Sequence, residues 1–585
     1  AKYAKEFKVY LIGNAHIDIA WLWRMSETQQ VARNTFRTVL QNMLEYPELR
    51  YAQSQAVTYA WMEEQYPDIF KEIQARVKDG RWEIVGGMWV EPDCNLITGE
   101  SWVRQLLYGK KYFKEKFGVD VRTGWNPDSF GYNWNMPQIY NKSGIDCFIT
   151  QKIRWNDTTV FPYFIFWWQG ADDSRLLTYF PPMSYDSDVQ LAEVARAAGT
   201  YEAVTGYKKY LILWGLGDHG GGPNREILDR IRGYQGQAIV PELIHAPAGD
   251  FLKQIQGDLG DRIPVWNDEL YLEYHQGTFT TQGLVKKNNR RAESLLGTAE
   301  KLLTLNSFYG YPYPREEMEQ TWKQVLTHQF HDILPGSSIT PVYRDAATVM
   351  GDVIARLNRV IDGELEALAA RVDRRGQAGT PVLVYNSLGW PRSDIVSVNV
   401  WDYSGTGGRV VDAAGRELPA ENRLEKNNSL TVTFVAEDVP PIGWKLYWIQ
   451  SGKPAPAAGE VAASGLQLES SRHRLAIDPR TGNVRSLFDK SLNREFVPAG
   501  QEVNRLEIYE DRPENWDAWN IGYTGRQWSL DKADSVEVVN VSPVRATVRV
   551  KKSFLGLSKE RYSPTEDYPS SFFVQDITLY GRLDR

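Results

Sequence analysis

Two cysteines, Cys94 and Cys147, are all that the 585 residues contain, so no disulfide framework holds this chain together. No apolar run approaches the ~20 residues needed to cross a bilayer, and residues 1–8 lack the pattern of a signal peptide. Long basic blocks are missing as well, and the formal net charge is only −7. These absences argue against nucleic acid and membranes as partners, and the chain reads as soluble and cytoplasmic. What is plentiful is apolar and aromatic material: 42% hydrophobic residues, with 21 Trp and 31 Tyr. Aromatic faces stack on sugar rings, and they fill large cores equally well. A single core does not extend over such a length, so about three to four domains are expected.

The pattern changes twice along the chain. From 1 to 265, helical and strand periods alternate, and short apolar runs are each followed by a polar turn carrying acids or aromatics. This is the signature of a β/α barrel or a related open α/β fold. From 266 to 375 the period becomes helical, with stretches at 283–306, 315–330 and 341–373 that make a three-helix bundle. From 376 to 585, β-branched residues and turn signals recur at strand spacing, interrupted by the Pro/Ala/Gly-rich segment 451–464. The last strand pattern, 572–582, runs to the end, as in an incomplete fragment of a longer β region. The fold class is therefore multidomain: α/β, then α, then β.

The stretch that organises the rest is KVYLIGNAHIDIAWLW, an apolar run that turns through Gly13-Asn14 and presents His16 and Asp18. In an extended segment, residues i and i+2 point to one side, so imidazole and carboxylate can converge on a divalent cation. Asp128 in WNPDSFG, Asp218 and His219 in GLGDHGGGP, and His331 with Asp332 in QFHDILPGSS are further chemistry-bearing positions. His16, Asp18, Asp128 and His331 together would give two nitrogens and two carboxylates, a reasonable set for Zn²⁺. Each also has a local alternative: His16 in a turn, Asp18 or Asp128 as a helix N-cap, His331 as a C-cap. Sequence spacing does not decide between these, because the segments are far apart.

Five motifs in order, IGNAHIDIAWLW, GWNPDSFGYNWNMPQI, GLGDHGGGP, ELYLEYHQGTFTTQ and QFHDILPGSSI, resemble the glycoside hydrolase family 38 α-mannosidases, specifically the branch with the GDxGGGP run. The resemblance extends more loosely to SLFDK and YEDRPENWDAWN. It implies an N-terminal seven-stranded β/α barrel, a three-helix bundle and C-terminal β-sandwich domains. It implies hydrolysis of terminal α-linked mannose with retention, through a covalent glycosyl-enzyme and one bound cation. By position, His16, Asp18 and His331 match metal ligands, and Asp128 matches the nucleophile that also touches the metal. Trp21 matches the tryptophan beneath the −1 sugar, and Asp332 matches a carboxylate near the sugar hydroxyls. Asp218 is the expected acid/base, with His219 the alternative if the motif slips by one residue. Trp89, Asp93, His275, Glu273, Trp516, Asp517 and Trp519 are candidates for the pocket lining.

Two histidines favour Zn²⁺ or Co²⁺ over Ca²⁺ as the cofactor. The partners implied are α-mannosyl oligosaccharides, and a homo-oligomer is left open. The competing readings are a metal-dependent hydrolase of another bond and a carbohydrate-binding protein without turnover.

Overall fold

The computed structural model describes residues 2–401, 405, 407–426, 429–454, 460–554 and 571–583. The chain divides into two compact units, one of residues 1–300, 312–362 and 513–521, the other of 301–311, 363–512 and 522–585. Among the described residues, no helix is long and apolar enough to cross a membrane.

The first unit is built around ten strands: β1 (Lys8–Asn14), β2 (Tyr51–Gln53), β3 (Trp82–Ile84), β4 (Thr123–Trp125), β5 (Cys147–Ile149), β6 (Ile165–Gln169), β7 (Arg175–Tyr179), β8 (Lys209–Trp214), β9 (Glu242–His245) and β10 (Val265–Trp266). They form two five-stranded sheets, ordered β3-β2-β1-β8, with β9 also on β1, and β10-β6-β7-β5-β4. Every pairing is parallel except β6 with β7. The ladders therefore make two sheets, not one continuous ring. A single main-chain bond, Gly86 N–H to Thr123 O at 2.8 Å, bridges the segment after β3 to β4.

β1 is central because both its faces are apolar and covered: Val9, Leu11 and Ile12 are fully buried. Strands buried on both sides read as continuous hydrophobic runs, which is how this one shows in the sequence. Gly13 ends the run where nothing larger fits, since a Cβ there would lie 2.6 Å from Pro223. Parallel strands need crossovers, and amphipathic helices supply them. Met25–Glu45 buries Ala32, Phe36, Val39, Leu40 and Met43 on one face, and it stops just before Pro47. Gly99–Phe117 starts at Thr98, whose hydroxyl accepts the Ser101 N–H, and ends at left-handed Gly118.

Most expected elements are found within a few residues, including the helices Gly283–Ser307, Arg315–Thr327 and Thr340–Arg371. In the α/β region the helices Leu191–Thr205, Arg225–Tyr234 and Ala248–Leu259 and the strands β2, β9 and β10 go beyond the expectation. The third expected strand of the α/β region, near residue 121, sits slightly later, at Thr123–Trp125.

The second unit is mostly antiparallel sheet. Strands Arg392–Val400, Leu430–Val439 and Ala420–Leu424 form one sheet, and Thr380–Asn386, Gly443–Ser451, Gly408–Asp412 and Glu417–Leu418 another. One apolar cluster takes Val410 and Ile449 from the second sheet, and Val432 and Phe434 from the first. A separate cluster, with Leu468, Ile477, Val484, Val548 and Val550, serves the later strands up to Ser571–Tyr580. Of the Pro/Ala/Gly-rich segment, residues 455–459 lie outside the described residues.

Candidate metal centre and the groups around it

The chemistry-bearing side chains sit past the carboxyl ends of the parallel strands, where an α/β fold leaves loops free to carry function. β1 is followed by His16 and Asp18, β3 by Glu91, β4 by Asp128, β5 by Lys152 and β8 by Asp218. His331 and Asp332 arrive from the turn after the helix Arg315–Thr327.

His16, Asp18 and His331, all buried, hold three donor atoms within 4.8 Å of one another. His16 Nε2 lies 3.0 Å from Asp18 Oδ1, and His331 Nε2 lies 3.5 Å from the same oxygen. Asp128 Oδ2 is 4.0 Å from His331 Nε2. Ligands at zinc distances of 2.0–2.2 Å on tetrahedral corners stand about 3.4 Å apart, so these spacings match one shared ion. The three central atoms, His16 Nε2, Asp18 Oδ1 and His331 Nε2, are buried without a hydrogen bond. Leaving polar atoms buried and unpaired costs about 1–3 kcal/mol each, and a cation at their meeting point would satisfy all three. The residues therefore fit a divalent cation.

Beside both rings stands Glu91, which the sequence places after the strand at Trp82 without giving it a role. Its carboxylate Oε2 lies 3.1 Å from His16 Nδ1, and its backbone carbonyl lies 2.9 Å from His331 Nδ1. Glu91 thus faces Nδ1 of both imidazoles, hydrogen-bonded to His331 through its carbonyl and within ion-pair distance of His16 through its carboxylate, which leaves Nε2 of each toward the ion, the place of an outer partner of metal-bound histidines. Glu91 is fixed in turn by the Ser54 hydroxyl, which donates to its Oε1, and by Gln55, whose Oε1 accepts the Glu91 N–H at 3.1 Å. A glutamate directly after the apolar run Met88-Trp89-Val90 carries no spacing signal that would have singled it out.

The electrostatics show the same crowding of negative charge. Burial opposes a proton on His16, yet the Glu91 and Asp18 carboxylates outweigh it and hold its pKa well above the ordinary value. Burial also opposes ionisation of Asp18, but the nearby imidazoles, His16 first and then His331, keep its pKa low. Asp332 is pushed far above the carboxylate range by burial and then by the Asp18 charge; the Ser337 hydroxyl donates to it.

Asp128 is held from the other side by Lys152, whose Nζ is 2.8 Å from Oδ1, with both side chains almost fully buried. Lys152 was not foreseen from the sequence. Asp218 stands at the tip of a loop closed by paired main-chain bonds between Leu216 and Gly222. Within it, Gly220 has φ +71°, and a Cβ there would lie 2.4 Å from Thr35 Oγ1. The Asp218 carbonyl accepts the Asp18 N–H at 2.9 Å, which ties this loop to the His16 segment. Tyr185 donates to Asp218 Oδ1 at 2.5 Å. Burial, and then the charge of Asp18, raise the Asp218 carboxyl above its usual value, so it keeps its proton to higher pH. His219, the alternative, is half exposed, with Nε2 2.9 Å from Glu27 and its ring edge-on to Trp23.

The other expected pocket residues separate into two groups. Trp21 stacks near Trp516 and Trp519, at centroid distances of 5.6 and 6.0 Å, and Trp519 stacks on His275 at 4.4 Å. The segment 513–521, which carries both tryptophans, belongs to the first unit, and its Trp519 carbonyl accepts the Gly277 N–H at 3.0 Å. His275 is buried, and both its ring nitrogens lack partners. Burial and then Lys152 press its proton affinity down, so the ring is neutral. Trp89 and Asp93 have hydrogen-bond partners of their own. The Trp89 indole donates to Thr327 at 3.0 Å and packs on the helix, while Asp93 accepts the Asn95 and Leu96 N–H groups. Glu273 clasps the Thr158 and Thr159 N–H groups, and Asp517 is exposed. Cys94 is buried beside the site, with burial raising its thiol pKa, so it is not a nucleophile.

Three family models match in succession. Residues 6–269 match the glycosyl hydrolases family 38 N-terminal domain, 273–368 the alpha mannosidase middle domain, and 468–585 the family 38 C-terminal domain. Alpha-mannosidase G of Dictyostelium discoideum is 30% identical over 578 residues, covering 94% of this chain and 52% of that protein. Human alpha-mannosidase 2C1 is 32% identical over 517 residues, covering 88% and 47%. The chain spans about half the length of these curated relatives. A crystal structure of an alpha-mannosidase from Enterococcus faecalis V583 shares the fold with a TM-score of 0.79 at 20% identity, over 94% of this chain and 67% of that one. With the three models following one another over most of its length, the chain belongs to glycosyl hydrolase family 38.

Proposed function

We propose that the chain carries the catalytic region of a retaining exo-α-mannosidase that removes terminal α-linked mannose from oligosaccharides or glycans. The observation that carries this reading is the set of unpaired atoms of His16, Asp18 and His331 meeting beside Asp128 and within reach of the Asp218 loop. The alpha-mannosidase names of the relatives support the substrate class.

In this reading His16, Asp18, Asp128 and His331 hold one Zn²⁺, with Co²⁺ as the nearest substitute. When bound, the ion supplies a Lewis acid that can take up sugar hydroxyls and offset the charge of the carboxylates around it. Trp21 offers its face to the sugar ring. Asp128 attacks the anomeric carbon while Asp218, whose hold on its proton burial strengthens, gives that proton to the leaving oxygen. Asp218 then takes a proton from the water that releases the sugar. His275 and Asp332 supply hydrogen-bonding groups to sugar hydroxyls, and Trp516 and Trp519 wall the site. The domain limits 1–265, 266–375 and 376–585, a barrel-like arrangement of the two mainly parallel sheets, and sandwiches in the β region belong to the same reading. The models matching 6–269 and 273–368 support the first two limits.

The test is metal analysis of the purified protein together with hydrolysis of α-1,2-, α-1,3- and α-1,6-mannobioses before and after chelation, plus trapping with a fluorinated mannoside. Bound metal, chelator-sensitive turnover and a mannosyl adduct on Asp128 are expected. Turnover of another bond without an adduct would assign the chain to a different metal hydrolase. Neither turnover nor adduct would leave only a binding protein.

A further inference from the structure

Lys152 opens the short 3₁₀ turn Lys152–Trp155, just past β5, and its side chain is 2% exposed. Its amine contacts Asp128 Oδ1, and among the described residues that is the only carboxylate it pairs with. Its other sides face rings: Nζ is 4.1 Å from the centroid of Trp155, and 5.3 Å from those of Phe130 and Trp519. Aromatic faces attract a cation but accept no full hydrogen bond. The two oxygens of Asp128 therefore differ, Oδ1 being held by Lys152 and Oδ2 lying on the His331 side.

We propose that Lys152 is a positioning residue that acts chiefly in the second half of the reaction, favouring return of Asp128 to its carboxylate form. This rests on the reading of Asp128 as nucleophile. In the first half, a bond forms between an Asp128 oxygen and the anomeric carbon. The bond from that carbon to the leaving oxygen breaks with its electron pair, and the Asp218 proton goes to that oxygen. Asp128 is now an uncharged ester, and Lys152 stands buried among aromatic rings without its counter-charge. A buried charge stripped of its partner is costly. In the second half, a water oxygen bonds to the anomeric carbon and one of its protons passes to Asp218. The electron pair of the ester bond returns to Asp128, and the ion pair with Lys152 re-forms. The charge that develops on Asp128 in this transition state is the one Lys152 stabilises, so breakdown is accelerated and the intermediate stays sparse.

The experiment uses the full chain loaded with its cation and an aryl α-mannoside with a good leaving group, for which breakdown limits kcat. Lys152→Met is expected to lower kcat by about 10²-fold, the scale of losing one preorganised electrostatic group. kcat/KM, which reports the first half, should fall far less. Intact-mass measurement during turnover should show the mannosyl adduct accumulating in the variant. Lys152→Arg should recover most of kcat, and Lys152→Gln, which keeps a donor without the charge, should behave as Met does and stands in if the Met variant is unfolded. Equal losses in kcat and kcat/KM, or no accumulation of adduct, overturn the proposal even where the wild type is trapped on Asp128. A wild type that is never labelled on Asp128 overturns the nucleophile reading itself, and this proposal with it.

Discussion

Glu91 allows the sharpest check on the candidate metal centre, because one residue serves both histidines by two different groups. Its carboxylate faces His16 Nδ1 at 3.1 Å, and its backbone carbonyl faces His331 Nδ1 at 2.9 Å. A side-chain substitution removes only the first. Loss of such an outer partner typically costs 10–100-fold in metal affinity, or about 1.4–2.7 kcal/mol. Glu91→Gln keeps an oxygen that can accept the Nδ1–H, so the ring stays in the same tautomer and only the charge is lost. The expected loss is about tenfold. Glu91→Ala removes the acceptor as well and frees the Ser54 hydroxyl, so the loss should approach 100-fold. The assay is competition between protein and a zinc chelator of known affinity, read as bound metal and not as activity, with unfolding profiles to verify that each variant is folded. If folded Glu91→Gln and Glu91→Ala both bind zinc as tightly as the parent, the orienting role is wrong. An ordering with Gln weaker than Ala would also refute the tautomer argument.

Three further outcomes are expected. Asp218→Asn should lower kcat by about 10²–10⁴-fold on poor leaving groups, whereas His219→Asn, whose ring sits against Glu27 and Trp23, should change it little; the reverse order in steady-state kinetics would exchange their roles. Gly220→Ala forces a side chain to φ +71° and against Thr35, which should cost about 2–4 kcal/mol and lower the first calorimetric transition; an unchanged transition counts against the loop geometry. Glu83 accepts the Ala248 and Gly249 N–H groups, near Asp250 and Lys253, and burial raises its pKa from 4.5 to about 7. A raised folded pKa means that its contribution is fully present below pH 4.5 and is lost as the pH rises through about 7. The parent should therefore lose up to about 3 kcal/mol relative to Glu83→Gln across that window, and parallel pH profiles of melting temperature would rule this out.

Much was decided locally. The apolar run Val9 to Ile12 dictated a buried strand, and Gly13-Asn14 after it dictated a turn, so His16 and Asp18 had to emerge side by side at a strand end. Helices such as Met25–Glu45 followed from apolar spacing and a terminating proline, because both act within a few residues. The ordered motifs fixed the family. Other features depended on segments that only folding brings together. Trp89 read equally well as pocket wall or packing, and its indole bond to Thr327 joins residues far apart in the chain. His331 could have been a C-cap, but its helix ends at Thr327, and its ring meets Asp18 instead. The direction of each imidazole was set by Glu91, and the partner of Asp128 by Lys152, neither of which lies near those residues in the chain. Covalent connection constrains a side chain over about one helical turn or a strand pair; which nitrogen faces an ion, or which oxygen an amine, depends on long-range contacts that chain order does not encode.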